Sequence, residues 1–278
     1  METANNISVP VLRPQSLMLA FFGNHFFGRQ DRYVYSGSII DVLSRAGVGE
    51  PAVRSTLTRM VNRGLLRRHR QGRKTYFGLT PHASRILEEG DRRIWKDGAV
   101  NEDWDGTWTL LSFSLPDSWQ RQRHELRSKL VWFGFGTLYS GLWIAPGKID
   151  VSTTVAELGL TDHVKTFYAQ ADTAIDLDQM IKESWDLDSI AARYTDFHER
   201  WTTQSDTRAD PVGLRLRLVA EWLQIIRADP RLPARHLPAS WPAQHAQETF
   251  RRIAAQTEAP ACQMADTILD TVPAQPAA

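Results

Sequence analysis

The chain has 278 residues, 42% of them hydrophobic, and a formal net charge of +1. That length suggests about two domains, with room for three small ones, and the composition excludes a chain that is basic throughout or too polar to bury a core. Cys262 is the single cysteine, which excludes internal disulfides and a multi-thiolate zinc site.

Charge is unevenly distributed. Residues 1–80 carry twelve Lys or Arg against four acids, a local +8, and the rest of the chain sums to −7. Such asymmetry points to a polyanion-facing module joined to something else. The opening METANNISVPVLRP lacks the charged start and apolar core of a signal peptide. The longest charge-free stretch, Leu130 to Gly147, is interrupted by four glycines and Pro146, which breaks a membrane helix. The expectation is a soluble, cytoplasmic chain with no membrane span.

Residues 14–28 carry Leu17, Leu19, Ala20, Phe21, Phe26 and Phe27 and predict a mostly buried first helix. SGSIIDVLSRAG predicts a second, capped by Ser36 or Ser38 and stopped by Gly47. A short link leads to a third, with Pro51 in its first turn. At about 100° per residue, Val53, Leu57, Met60 and Val61 share one stripe of that helix. The opposite face holds Ser55, Thr58, Arg59 and Asn62, flanked by Arg54 and Arg63. Gly64 ends it. Leu65–Arg70 and Lys74–Leu79 then predict a hairpin around Gln71-Gly72-Arg73, its second strand half-buried. Helix, helix, turn, helix and basic hairpin is the order of a winged helix-turn-helix. Thr80-Pro81 opens a linking helix, HASRILEEGDRRIW.

The middle third reads as GTWTLLSFSLP, a strand; DSWQRQRHELRSKLVWFGF, a helix starting at Asp117 or Ser118; GTLYSGLWIAP, one further strand; and HVKTFYAQAD, another. This pattern predicts a ferredoxin-like α+β domain. From Ile175 onward the periodicity is helical, with a proline-punctuated loop DPRLPARHLPASWP before the last helix and an Ala/Pro-rich tail. The predicted organisation is therefore α+β and multidomain: a winged helix-turn-helix with linker helix over 1–95, a ferredoxin-like domain over 100–175, an all-helical domain over 176–256 and a flexible tail over 257–278.

The stretch 51–80 contains eight cations and no acid, a pattern that phosphate explains more simply than solvent. On the third helix, Arg54, Ser55, Thr58, Arg59, Asn62 and Arg63 are the candidates for base contacts, Arg being suited to guanine and Asn to adenine. On the hairpin, Arg68, Arg70, Arg73 and Lys74 are candidates for backbone or minor-groove contacts. Catalytic patterns are missing: the eight histidines are scattered, HExxH and GxSxG do not occur, and Gly134 and Gly136 fail the GxGxxG spacing. The pairs Asp176/Asp178 and Asp186/Asp188 read as helix-start charges or solvated turns ahead of a metal site. Seven tryptophans (Trp108, Trp132, Trp143, Trp185, Trp201, Trp222, Trp241) read as core, with an aromatic-lined ligand pocket as the second reading. Arg121, Arg123, Arg127 and Lys129 read as a solvated helix face ahead of an anion site. No catalytic residue, metal or cofactor is expected.

VRSTLTRMVNRGLL, GRKTYFGLT, WDGTWTLLSFSLP, GFGTLYSGLWIAP and DPRLPARHLPASWP, in that order, resemble the PaaX family of bacterial repressors, which control phenylacetic acid degradation. One departure is Leu65, where the family often carries Trp after the glycine that ends the third helix. The resemblance implies a dimeric repressor on double-stranded operator DNA, released by an aryl- or acyl-CoA thioester whose pocket residues it does not identify. The alternative is a metal-dependent nucleic-acid-processing enzyme that docks through the same module.

Overall fold

Proline and glycine place the ends of the first helices. In the computed structural model, which describes residues 12–29, 31–203 and 210–274, Pro14 opens α1 (Pro14–Phe26). Seven of its side chains are buried, on all sides of the helix, so α1 is a central element and not an amphipathic surface one. β1 (Arg32–Tyr35), α2 (Ser36–Arg45) and α3 (Glu50–Asn62) follow. Gly47 and Gly64 sit just past α2 and α3 with φ of 88° and 66°, the left-handed conformation that lets a helix end without straining a Cβ. β2 (Leu66–Gln71) and β3 (Lys74–Leu79) form a hairpin closed by Gly72-Arg73, with Gly72 at φ 59°. The Thr80 hydroxyl accepts from Ala83 N–H to cap α4 (Pro81–Asp91), which continues as a π-helical turn, Arg92–Lys96.

The middle of the chain runs β4 (Thr107–Phe113), α5 (Gln120–Trp132), β5 (Gly136–Tyr139), β6 (Leu142–Pro146), α6 (Ser152–Glu157) and β7 (Val164–Gln170). The C-terminal part is α7 (Leu177–Ser184), α8 (Leu187–Thr203), α9 (Pro211–Ala228), α10 (Ala243–Ile268) and β8 (Thr271–Pro273). Among the described residues no helix is long and apolar enough to cross a membrane.

The chain folds as two compact units. One comprises residues 1–97, 197–224 and 247–278; the other comprises 98–196 and 225–246. In the first, the antiparallel sheet has the order β2-β3-β1-β8. Its helical part includes the C-terminal end of α8 and most of α9 and α10: Trp222 of α9 stacks on Phe250 of α10 at 4.9 Å, and Trp95 leans on the same ring at 5.2 Å. Glu221 is buried there with Arg200 at 2.8 Å and the Trp201 indole N–H at 3.0 Å. In the second unit the antiparallel order β5-β6-β4-β7 gives the split β-α-β arrangement, β-α-β-β-α-β in chain order. One sheet face packs Leu111, Trp143, Ala145 and Val164 against α5 and α6. The other packs Trp108 and Ile144 against Ile181, Trp185 and Leu232.

Several elements depart from the sequence reading. Neither Ser36 nor Ser38 caps α2, whose N-cap is Tyr35; the Ser38 hydroxyl turns instead to the C-terminal segment. Asp117 and Ser118 do not start α5, which begins at Gln120 behind Trp119. GTLYSGLWIAP is two strands, because Gly141 at φ 82° turns the chain between β5 and β6. β3 is buried on both faces, not one: Tyr76 and Phe77 are both covered although successive side chains point to opposite faces, and Leu79 is covered as well. The tail is the largest difference. α10 continues through Pro260 to Ile268, carrying Cys262 on an exposed face. Phe250, Ile253, Ala254, Thr257, Ala261 and Ala265 keep one buried stripe across the proline, and that packing outweighs the lost backbone hydrogen bond. β8 then pairs with β1, Arg32 opposite Pro273 and Val34 opposite Thr271.

Of the seven tryptophans read as core, Trp108, Trp143, Trp185, Trp201 and Trp222 are buried, while Trp132 and Trp241 are half-buried. Gly134 and Gly136 have a packing role: a Cβ at Gly134 would lie 2.9 Å from Pro230 O, and one at Gly136 2.6 Å from Ser184 O. Asp176 and Asp186 accept from the N–H groups of Gln179 and Ser189 at 3.0 Å each, at the starts of α7 and α8, and Asp178 meets His236 at 2.9 Å.

Candidate nucleic-acid interface

α3 is anchored from below and open above. Val53, Thr56, Leu57 and Met60 are buried, each apolar one contributing about 1.5–3 kcal/mol by leaving water. Val61, which the helical stripe also assigned inward, is only half-buried, and the inward position it leaves is taken by Thr56. Thr56 resolves its burial by donating to Ala52 O at 2.7 Å, so a polar residue completes the core face.

The six side chains proposed for base contacts are all exposed: Arg54, Ser55, Thr58, Arg59, Asn62 and Arg63. Arg59 folds back along its own helix, donating to Ser55 Oγ at 2.8 Å and Thr56 Oγ1 at 2.9 Å. Arg54 is paired with Glu50 at 2.7 Å, an acid one residue upstream of the acid-free stretch, and Arg63 donates to the Gln15 side chain at 3.3 Å. Thr58 donates to Arg54 O at 3.1 Å.

The hairpin residues Arg68, Arg70, Arg73 and Lys74 are exposed as well. Thr80 braces their base, its hydroxyl donating to Gly64 O at 2.6 Å, so the end of α3 and the hairpin are tied together. The cations rest on rings: Arg67 over Tyr33 at 5.1 Å, Arg68 over Phe77 at 5.8 Å and Lys74 over Tyr35 at 4.9 Å. Lys74 also meets Asp270 at 2.8 Å, and that hydrogen bond raises the pKa of its ammonium. Among the described residues no carboxylate pairs with Arg68, Arg70 or Arg73.

Sequence reasoning missed β1 and the C-terminal segment. Tyr33 and Tyr35, which seat two of the cations, lie in RYVY, whose alternating aromatic and β-branched residues are a strand signal. Asp270 carried no local signal, because its partner is 196 positions away.

Other polar features lie in the second unit. Burial pushes the Asp229 carboxyl up, against the opposing hydrogen bond from Tyr194, and burial likewise raises the Tyr194 phenol. A groove of about 660 Å³ between α6 and β7 is lined by Val151, Val155, Val164, Thr166, Tyr168 and Asp150, with no Lys or Arg in its lining. On α5, Arg121 pairs with Glu125 at 3.0 Å, Arg123 donates to Leu115 O at 2.9 Å, and Arg127 and Lys129 are exposed. Among the described residues no three His, Cys, Asp or Glu side chains are gathered as metal ligands.

Fold and surface together define an α+β protein with a strongly basic helix–hairpin face near one end of its chain and a split β-α-β sheet in its middle. Family models match in chain order: PaaX-like protein over residues 13–83, PaaX protein central Cas2-like domain over 101–181 and PaaX-like protein C-terminal domain over 185–267. The chain belongs to the PaaX family. It is 27% identical to the transcriptional repressor PaaX of Escherichia coli (strain K12) over 277 residues, covering 93% of this chain and 86% of the repressor. A solved structure of an uncharacterized protein from Mycobacterium tuberculosis shares the fold, with a TM-score of 0.59 at 21% identity, over 93% of this chain and 99% of that one.

Proposed function

We propose that this protein is a DNA-binding transcriptional repressor in which α2, α3 and the β2–β3 hairpin act as a winged helix-turn-helix. The observation that carries the reading is the two-sidedness of α3. Its apolar residues are spent on the core, while Ser55, Thr58, Arg59 and Asn62 face outward with no carboxylate bonded to any of them among the described residues. Exposed hydrogen-bonding groups on a helix just wide enough for the major groove can read base edges, each good bidentate pair being worth about 1–3 kcal/mol. Arg68, Arg70, Arg73 and Lys74 follow the backbone and position the helix. The name of the Escherichia coli relative supports repression.

Two copies of the chain place their third helices in successive major grooves of a near-palindromic site, about one helical turn apart. A CoA thioester lowers the affinity for that site, and by linkage the DNA lowers affinity for the thioester. Family membership supports this effector; the groove between α6 and β7 offers no cation to its phosphates, so the effector is not assigned there. The reading involves no catalytic step, so duplex DNA incubated with the protein and magnesium should stay intact.

Selection from a randomised duplex pool, followed by titrations across salt, tests the interface. Arg59→Ala should relax the selected sequence, whereas Arg73→Ala should weaken all sequences alike and reduce the salt slope by about 0.9. If neither substitution alters DNA binding, the assignment of this face is wrong.

A further inference from the structure

The C-terminal segment returns to the hairpin. Asp270 stands between α10 and β8, and its Oδ2 lies 2.8 Å from Lys74 Nζ, where β3 begins. The Tyr35 ring lies against the same ammonium at 4.9 Å, and the Tyr76 hydroxyl reaches the same carboxylate oxygen at 3.5 Å. Lys74 is therefore a hairpin cation that already holds an anionic oxygen.

We propose that Asp270 sets the affinity of the DNA surface by occupying Lys74 in the free protein and yielding it to a phosphate oxygen on the duplex. This rests on the DNA-binding reading above. Carboxylate and phosphate present the same kind of oxygen to an ammonium, so one can take the place of the other at similar distance. The exchange is easy because the pair is open to water, 52% exposed on Lys74 and 40% on Asp270; such pairs are screened and contribute little. Binding must first break the pair, and that cost lowers net affinity.

The pair does not hold Asp270 in place. The Asp270 amide donates to Ser38 Oγ at 3.0 Å, its carbonyl accepts from Tyr35 N–H at 2.9 Å, and the next three residues pair with β1. Removing the carboxylate thus leaves the strand docked and changes only the charge offered to DNA. Asp270 is in this sense a built-in competitor, supplied by the far end of the chain.

The experiment is a double-mutant cycle on the full chain, titrated by fluorescence anisotropy against a labelled random-sequence duplex of about 40 bp, since phosphate contacts do not need a particular sequence. Asp270→Asn should tighten binding about two- to fivefold, the worth of an exposed ion pair, with the salt slope little changed, since Lys74 neutralises the same phosphate in both chains. Lys74→Ala should abolish that gain, so that the double variant and Lys74→Ala alone bind alike. Binding by Asp270→Asn no tighter than the native chain, or a gain that persists without Lys74, overturns the proposal. Amide-exchange protection at Val272 and Ala274 verifies that the strand has stayed docked; if Asp270→Asn releases it, the carboxylate is a structural anchor and the proposal is likewise wrong. A native chain that fails to bind the duplex even at low salt sinks the DNA reading itself, a separate outcome.

Discussion

Ser38→Ala separates the attachment of the C-terminal strand from the chemistry of its side chains. Ser38 is 5% exposed, and its hydroxyl does two things: it donates to Ile268 O at 2.8 Å and accepts from Asp270 N–H at 3.0 Å. Alanine removes both bonds and leaves a carbonyl and an amide without that partner. At about 1 kcal/mol net for each bond, with an added cost for the groups left behind, the loss is about 2–3 kcal/mol. It falls on the end of α10 and on β8, whose ladder to β1 is only three residues long. Native-state hydrogen exchange is the direct assay, because it reads local opening separately from global unfolding. Protection over residues 266–274 should drop by about 30- to 150-fold, while α1 and α3 keep theirs. Unchanged protection in that peptide, or an equal loss throughout the first unit, would refute the view that one hydroxyl pins the strand.

Acid should destabilise the first unit through His25, whose pKa burial, aided by Arg215 and Arg29 against an opposing pull from Asp266, lowers to about 4. The unfolded chain takes up that proton near pH 6.5 and the folded chain only near pH 4, so stability falls between those values by about 3 kcal/mol. Urea melts at pH 7 and pH 4.5 should show the loss, and His25→Phe should shrink it. Glu221→Ala should cost about 3–5 kcal/mol in the same melts, since it strands the half-buried Arg200 guanidinium and the Trp201 indole N–H. Adding Arg200→Met should recover part of that loss. Gly136→Ala should destabilise the second unit by about 3 kcal/mol in thermal melts, because its Cβ would sit 2.6 Å from both Ser184 O and the Trp185 ring.

Local chemistry was enough to place α3 and the β2–β3 hairpin, the elements proposed to face DNA. Gly64 and Gly72 mark the end of α3 and the hairpin turn because both positions require positive φ, which glycine alone adopts freely. The periodicity of Val53, Leu57 and Met60 was sufficient to say which side of α3 faces outward, since a 3.6-residue repeat has only one apolar side. The family resemblance, read from five segments, was equally a property of sequence order.

What the sequence by itself determined was therefore the content of short-range elements: which helix, which turn and which face. Tertiary structure decided what joins them across distance. A three-residue strand such as β8 has too little periodicity to be read, and Pro260 argued against the helix that leads to it. Ser38 became a clip because Ile268 and Asp270 arrived beside it. Each of these depends on a partner whose position exists only once the chain has folded, and a hydrogen bond or ion pair spanning about two hundred residues leaves no pattern at either end.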